Sequence, residues 1–182
     1  MPFIAKSAAP VAPVPAARHW TFDRAALGGL TCFVAPPGYL LSEGLFEALQ
    51  RQGRPVLWVR LGPEDHDPGT FLRSVAAAVH RHHPGFGRDL AAMPAGWPAT
   101  FRRLAAELAE AAPAPASLVV EHAHHLGAGG PGPALLGTLL GPLLDDDRAC
   151  IVTSAQRLPP GALPARGATV TADDLRLGPG AA

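Results

Sequence analysis

Short apolar runs alternate along this chain with segments of helical spacing, and that alternation constrains the fold more than any other feature. The runs are LTCFVA (30–35), PVLWVRL (55–61), SLVVEH (117–122) and ACIVTS (149–154), with GATVTADDLRL (167–177) placed to add one edge strand. Between them, residues 42–52 repeat apolar positions at Leu45, Ala48 and Leu49, and residues 70–82 do so at Phe71, Leu72, Val75, Ala78 and Val79. Residues 99–111 place Phe101, Leu104, Ala105 and Leu108 on one face, and 134–144 is a further helical stretch. Strand–helix alternation of this kind predicts an α/β fold: a mostly parallel sheet with helices on both faces.

With 182 residues the chain is long enough for one domain with a normal core. Residues 1–17, broken by Pro10, Pro13 and Pro15, read as a disordered Pro/Ala-rich lead-in, 18–177 as the domain and 178–182 as a flexible tail. Fifteen basic residues balance fifteen acidic ones, so no net field draws the segment to nucleic acid or an anionic membrane. The N-terminus lacks a continuous signal-peptide core, and no window approaches the roughly 20 apolar residues of a membrane span. Cys32 and Cys150 sit in apolar strand runs and read as buried thiols of a reducing compartment. The expectation is a soluble, cytoplasmic protein.

The stretch APPGYLLSEGL (35–45) lies between the first strand and the first helix, where a phosphate loop would sit. A Walker A loop, G-x-x-x-x-G-K-[ST], needs backbone N–H groups to cradle phosphate, a lysine for the β/γ-phosphates and a hydroxyl for Mg²⁺. Its last three positions are filled here by Leu40, Leu41 and Ser42.

Four segments together resemble the N-terminal P-loop ATPase module of the MalT-like, LuxR-type regulators, a branch of the STAND signalling ATPases. Ala35, Pro36, Gly38 and Tyr39 match that family's A-P-A-G-Y-G-K-T loop. WVRLGPEDHDPGTFL matches its second-strand motif at Trp58, Leu61, Glu64, Asp65, Asp67, Pro68 and Phe71. LVVEHAHHL places Glu121 and His122 where its Walker B strand carries two aspartates. IVTSAQR resembles its sensor strand, with Ala155 in place of the arginine and Arg157 two residues late. LPARGATVTADDLRL resembles the family's closing segment, so the likeness runs from Leu30 to Leu177. The resemblance implies a three-layer P-loop NTPase-like domain, and it implies that Cys32 and Cys150 lie on neighbouring strands. It also implies a vestigial nucleotide site at Gly38, Tyr39, Leu40, Leu41, Ser42, Glu121 and His122.

The chemistry of that site is altered. A lysine about 4 Å from phosphate contributes on the order of 4 kcal/mol at an effective dielectric of 20, and it is absent. Glu43 adds like charge, and an imidazole at His122 is a poor substitute for a magnesium-binding carboxylate. Glu121 alone could hold a water-bridged metal, or be a strand-end carboxylate satisfied by backbone or solvent. No catalytic residue, resident metal or cofactor is expected, and MgATP binding is expected to be weak if present. The histidines of EHAHHL and HRHH invite a zinc reading, since His122 and His124 would share a face if the strand continued and His80 and His83 share a helix face. The plainer expectation is solvated histidines at element ends. PEDHDP reads as a helix cap, with Asp67 as acceptor and Pro68 at the first helical position. Trp58 reads as a core or interface anchor, and Ser42, Ser74, Ser117 and Ser154 lack a nucleophile elbow.

Three functional readings follow. One is a non-catalytic signalling or protein-interaction module of a transcription-regulatory system, with a protein partner and no direct nucleic-acid or membrane contact by this segment. Another is an ATP-binding switch retaining weak nucleotide affinity. A metal-dependent binder using the His-rich strand end is a third.

Overall fold

The computed structural model describes residues 29–37, 41–87, 96–111, 116–145 and 148–174. The expected lead-in and tail therefore lie outside the described residues. Five strands form one sheet: β1 (Leu30–Val34), β2 (Val56–Arg60), β3 (Ser117–Glu121), β4 (Ala149–Ser154) and β5 (Gly167–Thr171). Their order is β2-β3-β4-β1-β5, and every pairing is parallel. Among the described residues the α-helices are α1 (Leu41–Gln52), α2 (Pro68–His80), α3 (Trp97–Ala111) and α4 (Gly132–Asp145).

Period-two alternation within the strands divides the core. Leu30, Cys32, Leu57, Val59, Leu118, Val120, Cys150 and Val152 face the layer formed by α2, α3 and α4, where Phe71 and Phe101 meet at 4.9 Å between ring centroids. Phe33, Val119 and Ile151 face the other way and bury Leu45, Ala48 and Leu49 of α1. The central strands are hence apolar on both faces, as a parallel sheet requires. The chain steps one way across the sheet from β1 to β2 and the other way from β2 to β4. Right-handed crossovers then place α1 opposite the other helices.

The expected elements are present with ends moved by a residue or two, except that β5 stops at Thr171 and residues 172–174 turn. Asp67 caps α2 as anticipated: its Oδ1 accepts the Thr70 N–H at 2.9 Å and Pro68 opens the helix. α1 ends where Gly53, at φ +65°, donates its N–H to the Gln50 carbonyl. Two one-turn 3-10 helices, Pro63–His66 and Ala123–Leu126, occupy stretches that the periodicity leaves as turns. Cys150 pairs in register with Leu30, so the strands carrying the two cysteines are neighbours, as the resemblance implied. Both thiols are free and buried, and burial raises Cys32 to about 11 and Cys150 to about 12.

Candidate functional site

At the C-terminal ends of β1, β3 and β4 the chain leaves a cavity of about 510 Å³. Open parallel sheets bind ligands at this end, where the winding direction reverses. Pro36 and Pro37 follow β1, Ser42 and Glu43 open α1, three histidines follow β3, and Thr153 to Ala155 close β4. Of the residues expected here, Leu41, Ser42 and His122 line the cavity, while Gly38, Tyr39 and Leu40 lie outside the described residues. Arg157, which the resemblance set two residues past the sensor arginine position, is exposed and does not line it.

Glu121 ends β3 with no solvent exposure. Its Oε1 accepts the Ser42 hydroxyl and its Oε2 accepts Arg60 Nε at 2.8 Å. Arg60 and Glu121 are register partners on β2 and β3, so the sheet itself sets this contact. Burial pushes the carboxyl pKa up, but the bonds from Ser42 and Arg60, the nearby Trp58 side chain and the arginine charge outweigh it and leave the pKa below the ordinary value. This corrects the expectation of a carboxylate satisfied by backbone or solvent: its partners are side chains from α1 and β2. Sequence periodicity does not reveal Arg60, because only the register brings β2 beside β3.

The strand does not continue past Glu121, so the shared face imagined for His122 and His124 does not form. His122 takes φ 60° and ψ 39°, the one left-handed non-glycine conformation among the described residues. Such a conformation costs about 1–2 kcal/mol, and neighbouring bonds hold it. Its N–H donates to Thr153 Oγ1 at 3.3 Å and its carbonyl accepts the His125 N–H at 2.9 Å. The turn gathers three imidazoles, with centroids 4.2 Å apart for His124 and His125 and 5.9 and 6.0 Å from His122 to each.

His124 Nδ1 accepts the Ala155 N–H at 3.1 Å, which places the proton of the neutral ring on Nε2. Burial, followed by the charges of His125 and His122, lowers its pKa. A ring held in that tautomer has no free lone pair at Nε2 for a metal. Among the described residues no group of three His, Cys, Asp or Glu is arranged to hold one. In the second histidine cluster α2 stops at His80, so His83 lies beyond the helix, and His80 Nδ1 instead accepts the Gly85 N–H at 3.3 Å.

No protein-family profile matches the chain, and no curated protein does. Solved structures do. One is the Aeropyrum pernix Orc1 protein in complex with DNA, at 13% identity and a TM-score of 0.52, covering 78% of this chain and 39% of that one. Another is PCH-2 of C. elegans, at 15% identity and a TM-score of 0.39, covering 78% of this chain and 35% of that one. The chain thus spans well under half the length of either. Among the described residues no helix is long and apolar enough to cross a membrane. At such identity the likeness to Orc1 speaks for fold alone, and with the all-parallel five-stranded sheet it makes this an α/β, P-loop NTPase-like domain.

Proposed function

We propose that the chain is a non-catalytic, degenerate STAND-type P-loop module acting as a signalling or protein-interaction domain of a transcription-regulatory system in the cytoplasm. One observation carries this reading: both carboxylate oxygens of Glu121 are engaged by the protein's own Ser42 and Arg60. In a working nucleotide site the hydroxyl at the Ser42 position serves Mg²⁺, and the cation is a loop lysine that reaches the phosphates. Leu41 stands in the lysine position, and the positive charge comes from β2 on the far side of the carboxylate. The residues present therefore fit a magnesium triphosphate poorly. The DNA in the Orc1 structure belongs to that protein; the equal numbers of acidic and basic residues here argue for a protein partner instead.

Calorimetric titration with MgATP tests the reading. The expected result is no saturable binding below about millimolar, roughly −4 kcal/mol. Micromolar binding would replace it with the ATP-binding switch, which the open cavity at the strand ends would then accommodate.

A further inference from the structure

A second concavity lies on the other side of α1. The sheet's five strands, spaced at about 4.8 Å, span roughly 19 Å, whereas one helix with its side chains covers roughly 10–12 Å. On this face α1 is the only helix packed among the described residues, and its buried side chains lie over Phe33, Val119 and Ile151 of the inner strands. The face of edge strand β2 is left as the floor of a groove of about 700 Å³.

Val56 and Trp58 form the apolar floor, and Phe46 of α1 forms the wall. Phe46 is 54% exposed, meeting Trp58 edge-on at 6.2 Å between ring centroids. An aromatic side chain that open, beside a half-buried tryptophan, is the type of anchor that binding surfaces use. Arg54, Arg60 and His82 rim the groove against a single carboxylate, Glu43. Glu121 is buried beneath Arg60, so the charged side chains a partner would meet at the rim are Arg54 and Arg60 against Glu43. Arg60 spends its Nε on Glu121, yet its side chain remains 67% exposed, leaving the rest of a five-donor guanidinium at the rim.

We infer that this groove between α1 and β2 docks an amphipathic helix of a partner protein whose apolar stripe is flanked by Asp and Glu. The inference rests on the interaction-module reading and names the chemistry of its partner. A helix laid beside α1 would complete the second layer that a parallel sheet calls for. Its stripe would meet Phe46, Trp58 and Val56, and its carboxylates would meet Arg54 and Arg60. This is the helix-in-groove mode of recognition.

The test is fluorescence anisotropy on the full chain, using two labelled helical peptides with the same leucine stripe, one flanked by glutamate and the other by lysine. The glutamate peptide should bind at least about tenfold more tightly than the lysine peptide, and more weakly as salt rises. Phe46→Ala, at an exposed position, should weaken it at least about tenfold with the thermal melt unchanged. Arg54→Glu should reverse the preference between the peptides. Absence of binding, equal affinity for both peptides, or indifference to Phe46→Ala would overturn the inference. Self-association lost in Phe46→Ala would overturn it in favour of a second copy of this chain. Hydrogen-exchange protection of residues 1–28 lost in that variant would do so in favour of the chain's own lead-in. If MgATP binds at micromolar concentration, the underlying functional reading fails. If neither MgATP nor peptide binds, only the groove assignment fails.

Discussion

Arg60 Nε lies 2.8 Å from Glu121 Oε2 across register-paired ends of adjacent parallel strands. The carboxylate is fully buried and the arginine largely exposed, so the two contribute unequally. Solvent screens the arginine's charge, while Glu121 has no water to turn to. Removing the arginine therefore costs more through the deprived carboxylate than the ion pair contributes. Arg60→Gln is expected to destabilise the fold by about 1–3 kcal/mol in urea unfolding at neutral pH. Adding Glu121→Gln should recover part of that loss, giving a coupling energy in the double-mutant cycle. Additive losses would mean the contact carries no energy.

Acid should weaken the fold through the same carboxyl. Its folded pKa lies below the ordinary 4.5, so its contribution is present above that value and is lost as pH falls through the folded pKa. Melting temperatures recorded downward from pH 5 should fall less steeply for Glu121→Gln than for the natural chain. Parallel profiles would contradict the assigned direction.

His124 acts in a higher window. Its folded pKa is depressed below 6.5, so the neutral ring stabilises the fold above 6.5 and that contribution fades as pH falls toward the folded value. His124→Asn should flatten the stability profile in that range. Nitrogen NMR of the natural chain at pH 8 should find the His124 proton on Nε2, since Nδ1 accepts the Ala155 N–H. A proton on Nδ1 would remove that bond from the account.

Adjacent positions on α1 should behave oppositely. Leu45 has no solvent exposure and packs against the sheet, so Leu45→Ala should cost about 2–5 kcal/mol. Phe46 is mostly exposed, and Phe46→Ala should stay within about 0.5 kcal/mol. Urea unfolding of the two variants measures both, and a large loss at Phe46 would mean that its ring is structural.

The architecture was legible in the sequence because its parallel strands are buried on both faces. CFV (32–34), LVV (118–120) and CIV (150–152) are apolar at successive positions, and β-branched and aromatic residues distinguish them from the helices around them. Asp67–Pro68 announced the start of α2 by local chemistry alone. The site was less legible because its contacts are long-range. Ser42 and Glu121 were marked by resemblance, yet nothing local tied Arg60 to Glu121, and an arginine at a strand end reads as solvated. The turn at His122 was hidden for another reason: a histidine rarely adopts the left-handed conformation, so the strand was extended one residue too far. The groove beside Phe46 depends on which part of the sheet α1 leaves bare, a property of strand order rather than of any motif.

We propose that the loop binds triphosphate poorly because Leu41 stands where a lysine is needed and Glu121 is taken up by the protein's own side chains. Parallel MgATP titrations of the natural chain and of Leu40→Gly/Leu41→Lys/Arg60→Ser test it most directly. The variant restores the loop's glycine and cation and releases Glu121 from its internal one. The expected result is no saturable binding by the natural chain below about millimolar and measurable, magnesium-dependent affinity in the variant. Micromolar MgATP binding by the natural chain, or a folded variant that binds nothing, would contradict it.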